Sequence, residues 1–238
     1  MASQPAELLH RHVAVLGAAG GLGQGILNVC RAEGIGFTAI VRSRPERIAT
    51  PPDGSRVAVV TALDDQAALA EAFSGADAVL TALGVTASSR DSAALLSRNM
   101  ASIEHAMALA KVDRIVVINT ILAAAPGTGA SPAIRFFSLI PGTMGRGARE
   151  QQAVVDALGA GAFASLRWTL VRAGVNAKGK DEPPVAAPDW NLGTNSLTPV
   201  SYEAMGRWML EEAAGCAFVR EAPLVSLPRK IKAGATAR

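Results

Sequence analysis

Residues 13–25 read VAVLGAAGGLGQG, and this stretch decides the fold. The apolar run 13–16 predicts a buried strand, and Gly17, Gly20 and Gly23 follow it at a fixed spacing. Gly17 permits a sharp turn, Gly20 leaves room for a pyrophosphate, and Gly23 lets a helix pack close to the strand. The helix start then offers free amide groups to an anion. This order predicts a nucleotide-binding βαβ unit, and a tight turn without a ligand is the alternative.

Short apolar runs alternate with alanine- and leucine-rich stretches along the rest of the chain. Strands that are apolar throughout predict a sheet covered on both faces, and the alternation predicts right-handed crossovers. The predicted fold is a doubly wound (Rossmann) parallel α/β sheet in a single domain, with a core at about 12–220 and a C-terminal extension at 221–238. Strands are predicted at 13–16, 37–41, 57–60, 78–83, 114–119 and 168–172, and helices at 21–33, 66–74, 92–110, 149–158 and 202–213.

Two stretches interrupt this rhythm, at 121–147 and 175–200. Both are rich in glycine, proline or alanine and follow late strands, so we expect long loops over the carboxyl edge of the sheet, where ligands bind. The predicted walls of the substrate pocket are Ile121, Phe136, Phe137, Met144 and Trp190. For the three aromatic residues and the methionine, packing in the core is the alternative.

The end of the second predicted strand indicates the cofactor. Sites for NAD place an acid there to bind the ribose 2′-hydroxyl, whereas sites for NADP use an arginine for the 2′-phosphate. Here Arg42, Ser43 and Arg44 follow the strand, and the first acid is Glu46. The pattern favours NADP(H). An ordinary exposed arginine pair is the alternative.

The composition argues against several other classes of protein. The 238 residues carry a net charge of +3, and aromatic residues make up 4%, so no stacking platform for nucleic acid is expected. The basic cluster at 229–232 is interpreted as a solvated tail. Two isolated cysteines indicate neither a metal site nor a disulfide framework. No signal peptide or membrane span is indicated, so we expect a cytoplasmic protein. We further expect a monomer or homodimer that acts on a small molecule.

Together these stretches resemble the atypical short-chain dehydrogenase/reductases, NAD(P)H-binding proteins similar to NmrA and to biliverdin-IXβ (flavin) reductase. The resemblance covers about residues 12–219. It is carried by VAVLGAAGGLGQGI, AIVRSRPERI, SGADAVLTALG, DRIVVINT, RWTLVRAGV and SYEAMGRWML. The chain departs from the family at two places. Ala62 stands where an aspartate often follows the third strand, and Ala173 and Gly174 stand where a proline–glycine pair usually follows the sixth strand.

The resemblance implies a role for each matching stretch. The pyrophosphate would lie on the glycine turn, the 2′-phosphate on the arginines, the adenine beside the third strand, and the nicotinamide between the fourth, fifth and sixth strands. The pyrophosphate residues are Gly17, Ala19, Gly20, Gly21, Leu22 and Gly23, and the 2′-phosphate residues are Arg42, Ser43 and Arg44. The adenine residues are Thr61, Ala62 and Leu63. The nicotinamide and its ribose would be bordered by Ala82, Leu83 and Gly84 after the fourth strand, by Asn119, Thr120 and Ile121 after the fifth, and by Arg172, Ala173, Gly174 and Val175 after the sixth.

A strong catalytic acid is missing from the sequence. Typical short-chain dehydrogenases use Tyr-x-x-x-Lys, but the single tyrosine, Tyr202, is followed four residues later by Gly206, so capping and packing are expected of it. His10 and His12 precede the first predicted strand, and His105 lies in a predicted helix. Hydride transfer to a flavin, quinone or enone-like acceptor tolerates this absence.

The catalytic candidates are therefore polar groups that orient a substrate. Asn119 and Thr120 are the first choice, and Arg149 and Glu150 the second. The sequence predicts an NADPH-dependent reductase. A non-catalytic NADP(H)-sensing regulator and a redox-neutral isomerase, epimerase or cyclase are the alternatives.

Overall fold

The structure is a computed structural model that describes residues 12–84, 96–190 and 195–229. Within these ranges the strands are β1 (His12–Leu16), β2 (Gly36–Val41), β3 (Arg56–Val59), β4 (Ala78–Thr81), β5 (Arg114–Thr120), β6 (Arg167–Ala173), β7 (Val175–Lys180), β8 (Val185–Ala187) and β9 (Leu224–Ser226). The α-helices are α1 (Gly21–Glu33), α2 (Gln66–Phe73), α3 (Leu96–Ala110), α4 (Pro132–Ser138), α5 (Thr143–Gly159) and α6 (Tyr202–Gly215).

Eight of the described strands form one sheet in the order β3-β2-β1-β4-β5-β6-β9-β8. All neighbours pair in parallel except β8 and β9, which are antiparallel. The chain leaves β1 towards β2 on one side and returns to β4 on the other, so the strand order reverses between β1 and β4. The predicted doubly wound α/β fold is confirmed, and ligands of such sheets bind at this reversal.

Helices cover both faces of the sheet. One apolar layer joins α1 and α6 to the sheet around Ile26, Phe37 and Met209, and the other joins α2, α3 and α5 around Phe73, Ile103 and Leu170. The central strands β1 and β4 are buried over nearly their whole length, as their unbroken apolar sequences predict.

A buried ion pair ties α6 to β5. The Arg114 guanidinium lies 2.8 Å from a Glu212 carboxylate oxygen, and both side chains are almost fully buried. Thr169 and the amides of Ala217 and Phe218 also donate to this carboxylate. Burial lowers the pKa of Arg114, an effect that the Glu212 charge opposes. The network fixes the C-terminal half of α6 beneath the sheet.

The two predicted long loops contain regular structure, and that part of the prediction is wrong. In 121–147, Ser131 caps α4 by accepting a hydrogen bond from the Ile134 amide, and Pro132 occupies the first turn. Helix α5 begins at Thr143, six residues before its predicted start, in a glycine-rich turn without apolar periodicity. In 175–200 lie β7 and β8. Strand β7 is mostly exposed and β8 has only three residues, so neither carries the long apolar run that marks a buried strand.

The segment after residue 220, expected as an extension, contributes β9, which pairs with β6 and β8. Its three residues are fully buried, but so short a strand gives little pattern.

Of the helix predicted at 92–110, residues 92–95 lie outside the described residues. His10 and the tail 230–238 also lie outside them.

Candidate functional site

The glycine turn folds back tightly against the sheet. Gly17 has a φ of +82°, and a Cβ at this position would stand 3.0 Å from the carbonyl carbon and oxygen of Ala82. A Cβ on Gly23 would stand 2.4 Å from the carbonyl oxygen of Gly17. Gly17 and Gly23 are therefore required by the backbone itself, which brings α1 close to the end of β1.

The start of α1 leaves amide donors exposed to the cleft. Gly20 is the N-cap, no side chain caps the helix, and the first turn contains no acid. The first-turn amides, on Gly21, Leu22 and Gly23, have no acceptor within the helix. The Gly20 and Gly21 residues are exposed, and the nearest atom to a Cβ on Gly20 would be the Gly17 carbonyl oxygen at 3.3 Å. The turn thus fits an anion such as a pyrophosphate.

A cavity of about 180 Å³ adjoins one side of the glycine turn. Arg42, Thr61 and Leu63 line it, together with Gly17, Ala19, Gly20, Leu83 and Gly84. Arg42 is exposed, and no hydrogen bond or ion pair engages its guanidinium among the described residues. Ser43, Arg44 and Ala62 lie next to this cavity in sequence but do not line it. Arg44 has a left-handed backbone (φ 61°) that starts a 3₁₀ turn at residues 45–47.

On the other side of the turn a cleft of about 550 Å³ reaches the ends of β5 and β6. The two spaces share Gly17, Gly20, Leu83 and Gly84, so they form one continuous groove across the carboxyl edge. The predicted residues that line this larger cleft are Gly17, Gly20, Gly21, Leu22, Ala82, Leu83, Gly84, Asn119, Thr120, Ala173, Gly174 and Val175.

The two catalytic candidates differ in what their side chains can offer. Asn119 is 2% exposed; its amide donates to the Gln151 carbonyl oxygen at 3.1 Å and accepts from the Thr120 amide at 2.6 Å. Its nitrogen therefore already serves the packing of β5 against α5, and its oxygen is engaged by the backbone of β5 itself. The Thr120 hydroxyl accepts a bond from the Leu122 amide at 3.3 Å. Its own proton remains available, so Thr120 is the better donor towards a ligand.

Arg172, expected beside the nicotinamide, lies in the structural core instead. It is 1% exposed, and its guanidinium donates to the carbonyl oxygens of Ala222, Ala123 and Pro188 and to Asp189. The neighbouring Ala173 lines the cleft, whereas the alternation of a strand turns Arg172 to the opposite face. The implied cofactor-binding role of its side chain is therefore wrong.

The predicted substrate-pocket walls do not gather around the groove. Phe136 on α4 and Met144 on α5 are 63% and 58% exposed, and Phe137 packs edge-on against Phe136. Trp190 is partly exposed at the end of the described segment and lines neither part of the groove. Ile121 lies close to it, since its Cγ2 would be 3.7 Å from a Cβ on Gly174. Among the residues that line the groove none of these three aromatic side chains appears, because α4 carries Phe136 and the partly buried Phe137 away from it.

The second-choice polar groups also have structural partners. Glu150 is buried and accepts hydrogen bonds from the amide and hydroxyl of Ser97, which fixes the start of α3. Arg149 donates to the Ser138 carbonyl oxygen. His12 begins β1, at the edge opposite the groove, where its Nε2 lies 2.8 Å from the Thr38 hydroxyl. His105 is exposed on α3.

Sequence reasoning missed two polar residues that line the groove. Gln151 comes from α5, and Tyr202 begins α6 and packs against Gly21. The sequence favours capping and packing for Tyr202, because Gly206 stands in place of the lysine of Tyr-x-x-x-Lys and the tyrosine lies beyond the sixth strand. Helix α6, which Tyr202 begins, packs against α1, and this contact brings the tyrosine ring to the glycine turn. The unusual pair of extra glycines in α1, Gly21 and Gly25, was the available signal.

A larger cavity of about 740 Å³ lies elsewhere, between α1, α6 and residues 181–184. It contains no part of the glycine turn and no carboxyl end of a sheet strand. Because the free amides, the unengaged arginine and the strand reversal all meet in the other groove, we take that groove as the functional site.

None of the described helices is long and apolar enough to span a bilayer.

Comparison with solved structures finds the same fold in several bacterial proteins. A short-chain dehydrogenase/reductase from Veillonella parvula DSM 2008, in complex with NADP, matches with a TM-score of 0.64 at 18% identity over 92% of this chain and 95% of that one. A proposed NADH-flavin reductase from Streptococcus pneumoniae TIGR4 gives 0.65 at 20% identity over 92% and 100%. A proposed epimerase from Bacteroides thetaiotaomicron gives 0.66 at 18% identity over 93% and 99%.

Sequence comparison places the chain in a family. No curated protein matches it in sequence. The model of the NAD(P)H-binding family matches residues 17–212, which include the glycine turn, both parts of the groove and most of α6. The resemblance to the atypical short-chain dehydrogenase/reductases is thereby confirmed, and the chain belongs to the NAD(P)H-binding family.

Proposed function

We propose that the protein is an NADPH-dependent reductase of the atypical short-chain type that acts on an apolar, conjugated acceptor such as a flavin, a quinone or an enone. One observation carries the proposal: an uncapped helix start without an acid in its first turn opens into a groove that has the unengaged Arg42 at one end and Thr120 at the other.

The residues of the groove suit the separate parts of NADP(H). The first-turn amides of α1 would hold the pyrophosphate, and Gly20 leaves the close approach open. The Arg42 guanidinium would pair with the 2′-phosphate, while Thr61 and Leu63 border the adenine. Ala82, Gly84 and Gly174 are small enough to admit the nicotinamide ribose and ring. When bound, the cofactor supplies a hydride.

The choice of acceptor follows from the titratable groups in the groove. Among the described lining residues these are Arg42 and Tyr202, and no lysine is present to activate the tyrosine. A flavin or quinone stabilises the charge that the hydride adds and takes its proton from water. The Thr120 hydroxyl would donate to a carbonyl or ring nitrogen of the acceptor and orient it. A bound NADPH would supply two electrons and one proton as a hydride, and the second proton would come from solvent.

A regulator that binds NADP(H) without turnover is the second candidate. It is favoured by the hydrogen bonds of Asn119, which engage both ends of its amide, and by the lack of a Tyr–Lys pair in the described groove. Such a protein would bind the nucleotide as tightly as the reductase would, so binding alone does not separate the two.

Turnover separates them. Purified protein is mixed with NADPH and, in turn, FMN, a series of quinones and an α,β-unsaturated ketone, and the reduced-nicotinamide absorbance is followed. The proposal expects oxidation of NADPH with at least one acceptor, and slower turnover with essentially unchanged NADPH affinity in Thr120→Val. Binding of NADPH without turnover on any acceptor would favour the regulator, and no binding would reject both.

A further inference from the structure

We infer that the phenol of Tyr202 is a cofactor-binding group that donates a hydrogen bond to the pyrophosphate at the start of α1. This inference rests on the proposed function, because it assigns one more residue to the same groove. Neither the glycine spacing nor the Tyr-x-x-x-Lys pattern points to this tyrosine, which is the single one in the chain.

The ring of Tyr202 lies directly on the glycine turn. A Cβ on Gly21 would stand 2.3 Å from Cε2 of the ring and 2.9 Å from the hydroxyl oxygen. The absence of a side chain at Gly21 is therefore what lets the phenol reach this place. Since Gly21 opens α1, the hydroxyl lies beside the same first-turn amides that would receive the phosphate.

The backbone around Tyr202 is fixed from two sides. The Val200 amide donates to the Gly174 carbonyl oxygen and the Ser201 amide to that of Lys180, both at 2.9 Å, which ties this segment to the far wall of the cleft. On the other side a Cβ on Gly25 would stand 2.5 Å from the carbonyl oxygen of Tyr202. Helices α1 and α6 thus meet at backbone distance, and the phenol is held in position before any ligand arrives.

The hydroxyl has a donor to offer. Among the described residues no hydrogen bond engages it, although the side chain is partly buried and lines the cleft. A phenol that donates to an anionic oxygen forms a short, charge-assisted bond, which is stronger than one between neutral groups. Amides from α1 and the phenol from α6 would then contact the pyrophosphate from two sides.

The test is Tyr202→Phe, which keeps the ring on Gly21 and removes only the hydroxyl. Thr198→Val is the matched control, since it removes a hydroxyl at an exposed position just before α6. Both variants and the wild type are titrated by calorimetry with NADPH and with adenosine 2′-monophosphate, which keeps the 2′-phosphate but has no pyrophosphate. Thermal unfolding without ligand checks that the variants are folded.

We expect Tyr202→Phe to weaken NADPH binding about fivefold to tenfold, the scale of one hydrogen bond to a charged group that solvent partly screens. Its affinity for adenosine 2′-monophosphate should stay within about twofold, and Thr198→Val should change neither affinity. Unchanged NADPH affinity in Tyr202→Phe would overturn the inference and leave the proposed function intact. Equal losses for both ligands would also overturn it, because the effect would then come from a general shift of the groove. A wild type that binds no nicotinamide nucleotide would reject the inference and the proposed function together.

Discussion

Replacement of Gly23 by alanine tests whether the glycine turn is required by the backbone packing that the structure shows. Gly23 lies in the first turn of α1 and is buried. The added methyl would stand 2.4 Å from the Gly17 carbonyl oxygen, 2.7 Å from Ala18 Cα and 2.8 Å from the Ala18 carbonyl carbon. All three are backbone atoms of the turn, so no side chain can rotate away to make room.

The expected cost follows from two opposing contributions. Relief of the contacts needs a shift of α1 by about 1 Å, and overpacking of this kind costs about 1–3 kcal/mol, here near the upper end because the neighbours are backbone. Alanine in place of glycine returns up to about 1 kcal/mol of helix propensity. The net loss should be about 2 kcal/mol, which corresponds to a Tm lower by about 4–8 °C for a chain of this length. NADPH binding should fall as well, because the shift moves the phosphate-facing amides.

Gly147→Ala is the matched control. Gly147 lies inside α5, and a Cβ there would meet nothing within 4 Å, so the substitution should raise stability by about 0.5–1 kcal/mol. Urea and thermal unfolding of both variants and the wild type, followed by circular dichroism, give the comparison. If Gly23→Ala proved as stable as Gly147→Ala, the close approach of α1 to the turn would be refuted.

Three further predictions concern single side chains. Arg42→Ala should weaken NADPH by about 1.5–3 kcal/mol and leave NADH nearly unchanged in calorimetric titrations, since its guanidinium would contact only the 2′-phosphate; an equal loss for both would contradict that role. Glu212→Ala should lower the free energy of unfolding by about 3–5 kcal/mol in urea titrations, because Arg114 would keep its charge in a buried site without a counter-ion; a loss below 1 kcal/mol would contradict the account of this pair. Thiol titration of the native protein at pH 8 should detect one reactive cysteine, Cys216, because burial raises the pKa of Cys30 to about 12 and removes it from solvent; two fast thiols would contradict this.

The sequence predicted most of the fold because the central elements carry strong, local patterns. The apolar strands around β1, β2 and β4 and the glycine turn each follow from a few consecutive residues, and α1 begins and ends where predicted. The missed elements lack such patterns. Helix α4 is short, α5 opens with a polar, glycine-rich turn, and β8 and β9 have three residues each.

The positions of the site residues were predictable where the backbone alone determines them, and less so where they depend on contacts between side chains. Gly17, Gly20 and Ala82 lie where the βαβ pattern places them, because strand ends meet at one edge whatever the side chains are. The side chain of Arg172 was misjudged because its guanidinium serves the packing of residues distant in sequence. Asn119 lines the cleft as predicted, but its amide has a partner on α5 that no local pattern shows. Tyr202 was missed because its position depends on the contact of α6 with α1, which no local pattern encodes.

The most direct test of the account is a calorimetric titration of the wild-type protein with NADPH and, separately, with NADH at the same ionic strength. The account predicts one site per chain and tighter binding of NADPH, by about tenfold or more, from the Arg42 contact with the 2′-phosphate. Absence of binding by either nucleotide, or tighter binding of NADH, would contradict it.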